Sequence, residues 1–269
     1  MLLLNMGKCI GIISLKGGVG KTSIVSALGA VLSEFGKKVL VVDGNFSAPN
    51  LGHHLDVIHP SHTIHHVLKG TINPKDSIYK LEYFDLIPAS MFYRSEINPL
   101  KLKDKLRHLK RSYDIIILDS SPALNDETLA VMNASDMLLV VTTPDHPTLS
   151  MTMKASKFSK KKGMPISGLI LNKVHKKGFE LSLKDIEKTI GIPVMAVVPH
   201  DIEVLKSLAK LVPYPIHKPK SEGSEEFRNL AASIIGEKYK PLKLKRFFRW
   251  INPRKQDVNR LVFYESAFQ

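Results

Sequence analysis

Three glycines, Gly17, Gly18 and Gly20, stand between an apolar β-branched run, Ile10–Ser14, and an amphipathic stretch, Ile24–Phe35. A strand that turns through glycines into a helix presents backbone N–H groups to the inside of the turn, with no side chain in the way. The helix that follows adds the partial positive charge of its N-terminus. The full run is Leu15-Lys16-Gly17-Gly18-Val19-Gly20-Lys21-Thr22-Ser23. It closes on the Gly-Lys-Thr that places an ammonium at the β- and γ-phosphates of a nucleotide and a hydroxyl at Mg²⁺. Residues Lys16, Gly17, Gly18, Val19, Gly20, Lys21, Thr22 and Ser23 are therefore expected to bind ATP, with Thr22 on Mg²⁺.

The rest of the chain continues the strand–helix alternation. Apolar runs at 9–14, 38–43, 84–88, 114–119, 137–142, 167–172 and 194–198 read as strands. Ile115–Leu118 and Leu138–Val141 are continuously apolar, as in parallel strands covered on both faces. Helical patterns fall between them at 22–35, 99–110, 126–133, 149–162, 183–190, 202–211 and 225–235. The alternation predicts an α/β fold, a three-layer, doubly wound, mostly parallel sheet of the P-loop NTPase kind. Composition breaks near Gly236–Pro241. Residues 1–236 are thus expected to form the ATP-binding domain and residues 237–269 a basic, aromatic tail.

The 269 residues carry a net charge of +14, and its distribution matters. The tail holds nine Lys/Arg against three acids, a net +6, which leaves +8 on the first 236 residues. Partners with negative surfaces, anionic lipid or nucleic acid, follow from this. The single cysteine, Cys9, forms no internal disulfide and fits a reducing cytoplasm. It also excludes a CxxC metal or iron–sulfur site within one chain. No apolar run approaches the ~20 residues of a membrane-spanning helix, and Met1–Leu4 is too short for a signal-peptide core.

The run KGGVGKTS, with a second lysine at Lys16 ahead of the glycines, resembles the deviant Walker motif of the MinD/ParA family. Leu15 stands where a generic P-loop has its first glycine. The resemblance implies that Lys16 reaches the partner's nucleotide across an ATP-sandwiched homodimer, adding a second cation to the developing phosphate charge. Asp43-Gly44-Asn45 resembles the first switch segment, where the family has Asp-x-Asp and uses the second aspartate on the attacking water. Asn45 here can hold a water but cannot take its proton, so turnover is expected to be slow or partner-dependent. Asp119, at the end of Tyr113–Asp119, resembles the Walker B aspartate and implies a contact to a water of the Mg²⁺ shell. Asn172, ending Gly168–Asn172, resembles the adenine contact, and Pro199 and Asp201 the loop over the base. Thr142-Thr143-Pro144 and Lys220–Leu230 also fit the family pattern, so the resemblance spans about residues 8–236.

Two further segments stand out. His53, His54, His59, His62, His65 and His66 crowd together; a zinc or nickel site would use His62 and His66 at i,i+4, whereas a solvated surface beside the switch segment is the favoured reading. In the tail, read as a helix over about 242–251, Leu244, Phe247, Phe248 and Ile251 share one face, with Trp250 suited to a membrane interface. Lys243, Lys245, Arg246 and Arg249 lie mostly around the other face. A short basic amphipathic helix lies in the headgroup layer, and the segment resembles the family's C-terminal membrane-targeting helix. The expected protein is a cytoplasmic ATPase, peripherally attached to an anionic membrane surface. It would dimerise on ATP–Mg²⁺, position cell-division or polar machinery, and answer to an unidentified activating or cargo protein. A ParA-like protein binding DNA non-specifically through Lys154, Lys157, Lys160–Lys162, Lys173, Lys176 and Lys177 is the alternative, as is a nucleotide-binding scaffold without turnover. Residues after Ile251 carry no reading from sequence.

Overall fold

A computed structural model describes residues 6–237 and 254–268. Eight strands form one sheet: β1 (Lys8–Ile13), β2 (Val39–Gly44), β3 (Tyr79–Lys80), β4 (Asp85–Ile87), β5 (Ile115–Ser120), β6 (Met137–Thr142), β7 (Ile166–Val174) and β8 (Val194–Pro199). Their order is β3-β4-β2-β5-β1-β6-β7-β8. Every pairing is parallel except β3 with β4, an antiparallel edge.

The continuous apolar runs follow from this topology, because each central strand buries both faces. Ile10 and Ile12 of β1, Val39 and Val41 of β2, and Ile115 and Ile117 of β5 enter one core. Their neighbours Cys9 and Ile13, Leu40 and Val42, and Ile116 and Leu118 enter the other. On the first face pack α1 (Lys21–Glu34) and α10 (Glu222–Ile235). Against the second face lie α4 (Leu102–Leu106), α5 (Asp126–Ala134), α6 (His146–Lys161) and α7 (Leu183–Ile190). Short helices α2 (Leu51–His54), α3 (Ile64–Lys69), α8 (Glu203–Ala209) and α9 (Tyr214–His217) fill the connections.

The expected helix over 99–110 is divided. Pro99–Lys101 and Leu109–Arg111 are 3₁₀ turns on either side of α4. Leu102, Leu106 and Leu109 are nonetheless all buried, so the apolar spacing survives while hydrogen bonding changes register at the ends. The pattern over 202–211 shortens to α8, because Leu211 takes a positive φ of 58° that ends the helix.

The chain comes back after the undescribed stretch as α11 (Lys255–Phe268), which packs on β8 and α10. β8 is a sheet edge, with backbone groups open to water unless something covers them. Here side chains cover them. Asn259 Nδ2 donates to the Val194 carbonyl at 2.7 Å and Arg260 Nη1 to the Met195 carbonyl at 2.6 Å. Glu187 accepts from Val194 N at 2.8 Å and Glu226 from Val197 N at 3.0 Å. Glu226, whose side chain is fully buried, also takes Arg254 at 2.8 Å and Arg260 at 2.9 Å. The segment that carried no sequence reading therefore closes one edge of the sheet. The amphipathic helix expected at 242–251, with Leu244, Phe247, Phe248, Trp250 and Ile251, lies outside the described residues.

Candidate nucleotide site

Parallel register assembles the site. Ile12 of β1 pairs with Asp119 of β5, and Asp119 pairs with Asp43 of β2. The glycine loop and both aspartates therefore share the carboxyl edge of the sheet. There β1 sits between β5 and β6, and the strand order reverses to open a crevice for ligands.

Gly18 and Gly20 have φ of 76° and 86°, in the left-handed region that glycine occupies without strain. A Cβ on Gly17 or Gly18 would meet open space, whereas one on Gly20 would come within 2.4 Å of the Asn172 amide nitrogen. The loop is thus open on one side and tightly backed on the other. Asn172 Nδ2 donates to the Val19 carbonyl at 2.7 Å, and Lys173 Nζ to the Gly18 carbonyl at 2.6 Å. The resemblance implies an adenine contact for Asn172, whose side chain is buried here with its amide on the loop backbone. Lys173, read from sequence as part of a basic patch, is a second support of the same loop.

The loop's two lysines diverge. Lys21 is buried and its ammonium donates to Asp119 Oδ1 and the Ser120 carbonyl. Lys16 is half-exposed and donates to Thr148 Oγ1 at 2.8 Å, with Asp145 at 3.4 Å. Thr22 Oγ1 donates to Asp119 Oδ2 at 2.7 Å. Asp119 so gathers the ammonium suited to phosphate and the hydroxyl suited to Mg²⁺. Asp43 is fully buried and accepts from Asn45 N at 3.1 Å and Leu51 N at 3.2 Å. Burial, then the adjacent Asp119 carboxylate, push the Asp43 carboxyl well above the usual carboxylate range. Asn45 is buried, and its amide donates to the Ala48 carbonyl.

A cavity of about 180 Å³ lies over the loop. Its wall includes Lys21 and Thr22 together with Asn45, Asn50 and His54. A larger hollow of about 330 Å³ adjoins the loop's outer side, between Lys16, Asp145, Lys173 and Phe179. The open cradle at Gly17 and Gly18, the buried Lys21 and the Thr22–Asp119 pair fit a Mg²⁺-bound nucleotide. Pro199 ends β8 and Asp201 follows it; neither lines the cavity over the loop. Asp201 accepts from Tyr214 Oη at 2.8 Å and Glu203 N at 3.0 Å.

The histidines separate by role. His62 precedes α3 rather than sharing a helix face with His66. His65 Nε2 lies 3.1 Å from the Phe46 carbonyl, and its ring stacks on Tyr93 at 4.8 Å, tying the switch segment to the loop after β4. Among the described residues, no three His, Cys, Asp or Glu side chains converge as metal ligands. His54 and Asn50 in the cavity wall were not singled out as phosphate-site residues from sequence. Their signal was proximity to Asn45, which a loop of unknown path does not convert into distance.

Known proteins share the sequence pattern and the fold of this chain. Residues 7–154 match the AAA domain family, and residues 98–247 match the 4Fe-4S iron sulfur cluster binding proteins of the NifH/frxC family. Cys9, the single cysteine, is buried in β1, so the chain lacks the thiolates such a cluster needs. An ATP-binding protein of Methanocaldococcus jannaschii is 35% identical over 239 residues, covering 87% of this chain and 90% of the relative. The septum site-determining protein MinD of Thermotoga maritima is 30% identical, covering 86% of this chain and 90% of its own length. The crystal structure of the Pyrococcus furiosus cell division ATPase MinD superposes with a TM-score of 0.81 at 32% identity, covering 86% of this chain and 99% of that one. MinD of Pyrococcus horikoshii, complexed with Mg-ADP, gives 0.80 at 31% identity, covering 85% and 96%.

Proposed function

Because the chain belongs to the MinD/ParA family of P-loop ATPases, enzymes that hydrolyse ATP with Mg²⁺, we propose that it is a MinD-like positioning ATPase. ATP would drive its dimerisation, and it would attach reversibly to an anionic membrane. The observation that carries the dimer is the divergence of the two loop lysines. Lys21 turns inward to Asp119, while Lys16 stays half-exposed on the loop's outer side. An ammonium so placed could exchange its surface contacts to Thr148 and Asp145 for a second copy's phosphates.

In the nucleotide site, Lys21 and the loop N–H groups would hold the phosphates, and Thr22 with Asp119 the Mg²⁺. Bound Mg²⁺ would supply charge neutralisation on the phosphate oxygens. Asn45 would orient the attacking water without taking its proton. Turnover is then slow unless a partner completes the site, and Asn45→Asp should raise the unstimulated rate. Brisk turnover that is unchanged in Asn45→Asp would refute this.

Among the described residues, no helix is long and apolar enough to cross a membrane. Membrane attachment is assigned to residues 242–251, on their sequence. One short helix binds lipid weakly, and two in a dimer gain ~100-fold or more by avidity. The test is co-sedimentation of the full chain with anionic liposomes under ATP, ADP or no nucleotide. Phe247→Glu serves as the control, since removing the whole tail would also strip α11 from β8. Equal recovery in all three nucleotide states would sink the switch.

Lys154, Lys157, Lys160, Lys161 and Lys162 on and just after α6 are all exposed. That supports a second, ParA-like reading in which DNA replaces lipid. ATP-dependent DNA retention that survives Phe247→Glu would favour it.

A further inference from the structure

Asp43 holds α2 in place by accepting from Leu51 N at 3.2 Å, at the first residue of that helix. α2 is one turn long, and its last residue, His54, closes it with a bond from its own N–H to the Asn50 carbonyl at 3.1 Å. The helix thereby carries His54 to the cavity over the glycine loop, whose lining also includes Asn45, Asn50, Lys21 and Thr22.

The two ring nitrogens stand in different surroundings. Nδ1 is buried and has no hydrogen-bond partner among the described residues. A proton there would be an N–H sealed away from any acceptor, so the proton belongs on Nε2. Burial, the largest influence, lowers the imidazole's affinity for a second proton; Asp119 opposes this and His53 adds to it. The ring therefore presents one neutral N–H donor to a cavity built for phosphate oxygens. In P-loop sites the lysine reaches the β- and γ-phosphates, and the residue that positions the attacking water stands beyond the γ-phosphate. Asn45, which stands in that water-positioning place of the family motif, lines this cavity, and His54 lines it too.

We propose that His54 is a γ-phosphate contact, its Nε2–H donating to a terminal phosphate oxygen, and that it sets the preference for ATP over ADP. This rests on reading the cavity as the ATP site and goes beyond that reading in assigning a residue that only the tertiary structure brings there. A neutral donor suits the task. It adds a hydrogen bond where the third phosphate is present and costs nothing electrostatically where it is not.

The test is calorimetric titration of the full chain with Mg-ADP and with a non-hydrolysable Mg-ATP analogue. Wild type is compared with His54→Leu, which keeps the volume, and with His54→Gln, whose amide reaches to about the Nε2 position. His54→Leu should lose about tenfold in affinity for the ATP analogue and less than about twofold for ADP. His54→Gln should stay within about threefold of wild type for both. Equal losses for the two nucleotides, or no loss for either, would overturn the assignment while leaving the ATP site intact. Failure of wild type to bind either nucleotide would overturn the site itself. Retained ADP binding shows that each variant is folded.

Discussion

Asn172, at the carboxyl end of β7, donates to the carbonyl of Val19, inside the glycine loop, at 2.7 Å. The two residues are 153 positions apart in sequence. The loop's curvature is thus held from the neighbouring half of the sheet, not by its own glycines alone. Asn172→Ala leaves the Val19 carbonyl without this partner. It should cost about 1–3 kcal/mol of stability and weaken nucleotide binding in the same direction. Urea unfolding and nucleotide titration of the same preparation check both. Gly20→Ala should bind worse still, since it meets both the positive φ and the Asn172 amide.

Lys21 and Asp119 form a buried ion pair beside Asp43. Removing one partner strands a charge. Lys21→Met should destabilise the protein by about 3–5 kcal/mol and abolish ATP binding. The double variant Lys21→Met with Asp119→Asn should recover much of the stability and none of the binding. Denaturation midpoints of the two single variants and the double would show the coupling. Additive losses would mean the pair does not interact.

Arg260 reaches both the Met195 carbonyl and the buried Glu226. Arg260→Ala should cost about 3 kcal/mol or more, because Glu226 keeps its charge and loses a partner. Glu226→Gln in the same background should restore part of it. Amide hydrogen exchange should speed up selectively in β8 and α11, which a general loosening would not produce.

Asp145 caps α6 by accepting from Thr148 N at 2.9 Å. Partial burial pushes its carboxyl up, but hydrogen bonds from Thr143 and Thr148, with the Lys16 ammonium, outweigh this and hold it at about 2. An unfolded aspartate titrates near ~3.9. The folded group's pKa lies below that, so its contribution is complete above about pH 4 and is lost as pH falls from about 4 to about 2. Asp145→Ala should therefore cost about 1 kcal/mol at pH 7 through the lost cap, and the gap to wild type should narrow across that acid window. Thermal unfolding at pH 7, 4 and 2.5 is the measurement.

The sheet and the phosphate loop were legible in the sequence because both are written in contiguous residues. Ile115–Leu118 announces a strand buried on two faces, and Gly17–Thr22 announces a turn into a helix N-terminus. The breaks in 99–110 were not legible. Leu102, Leu106 and Leu109 keep helical spacing whether the turns between them are α or 3₁₀. The role of α11 was hidden for another reason. Arg260 and Asn259 look like ordinary surface residues until the open edge of β8 lies beside them.

By itself, then, the sequence determined the identity of the phosphate loop, the alternation of strands and helices, and the replacement of a switch carboxylate by Asn45. Those depend on residue type at short spacing. The tertiary structure alone decided that Asn172 and Lys173 brace the loop at Lys16–Ser23, that Lys16 and Lys21 part company, and that His54 shares the phosphate cavity. Each of these is a distance between segments, set by parallel register and by the order of strands in the sheet. Side-chain chemistry along the chain cannot specify such a distance until the core has brought the strand ends together.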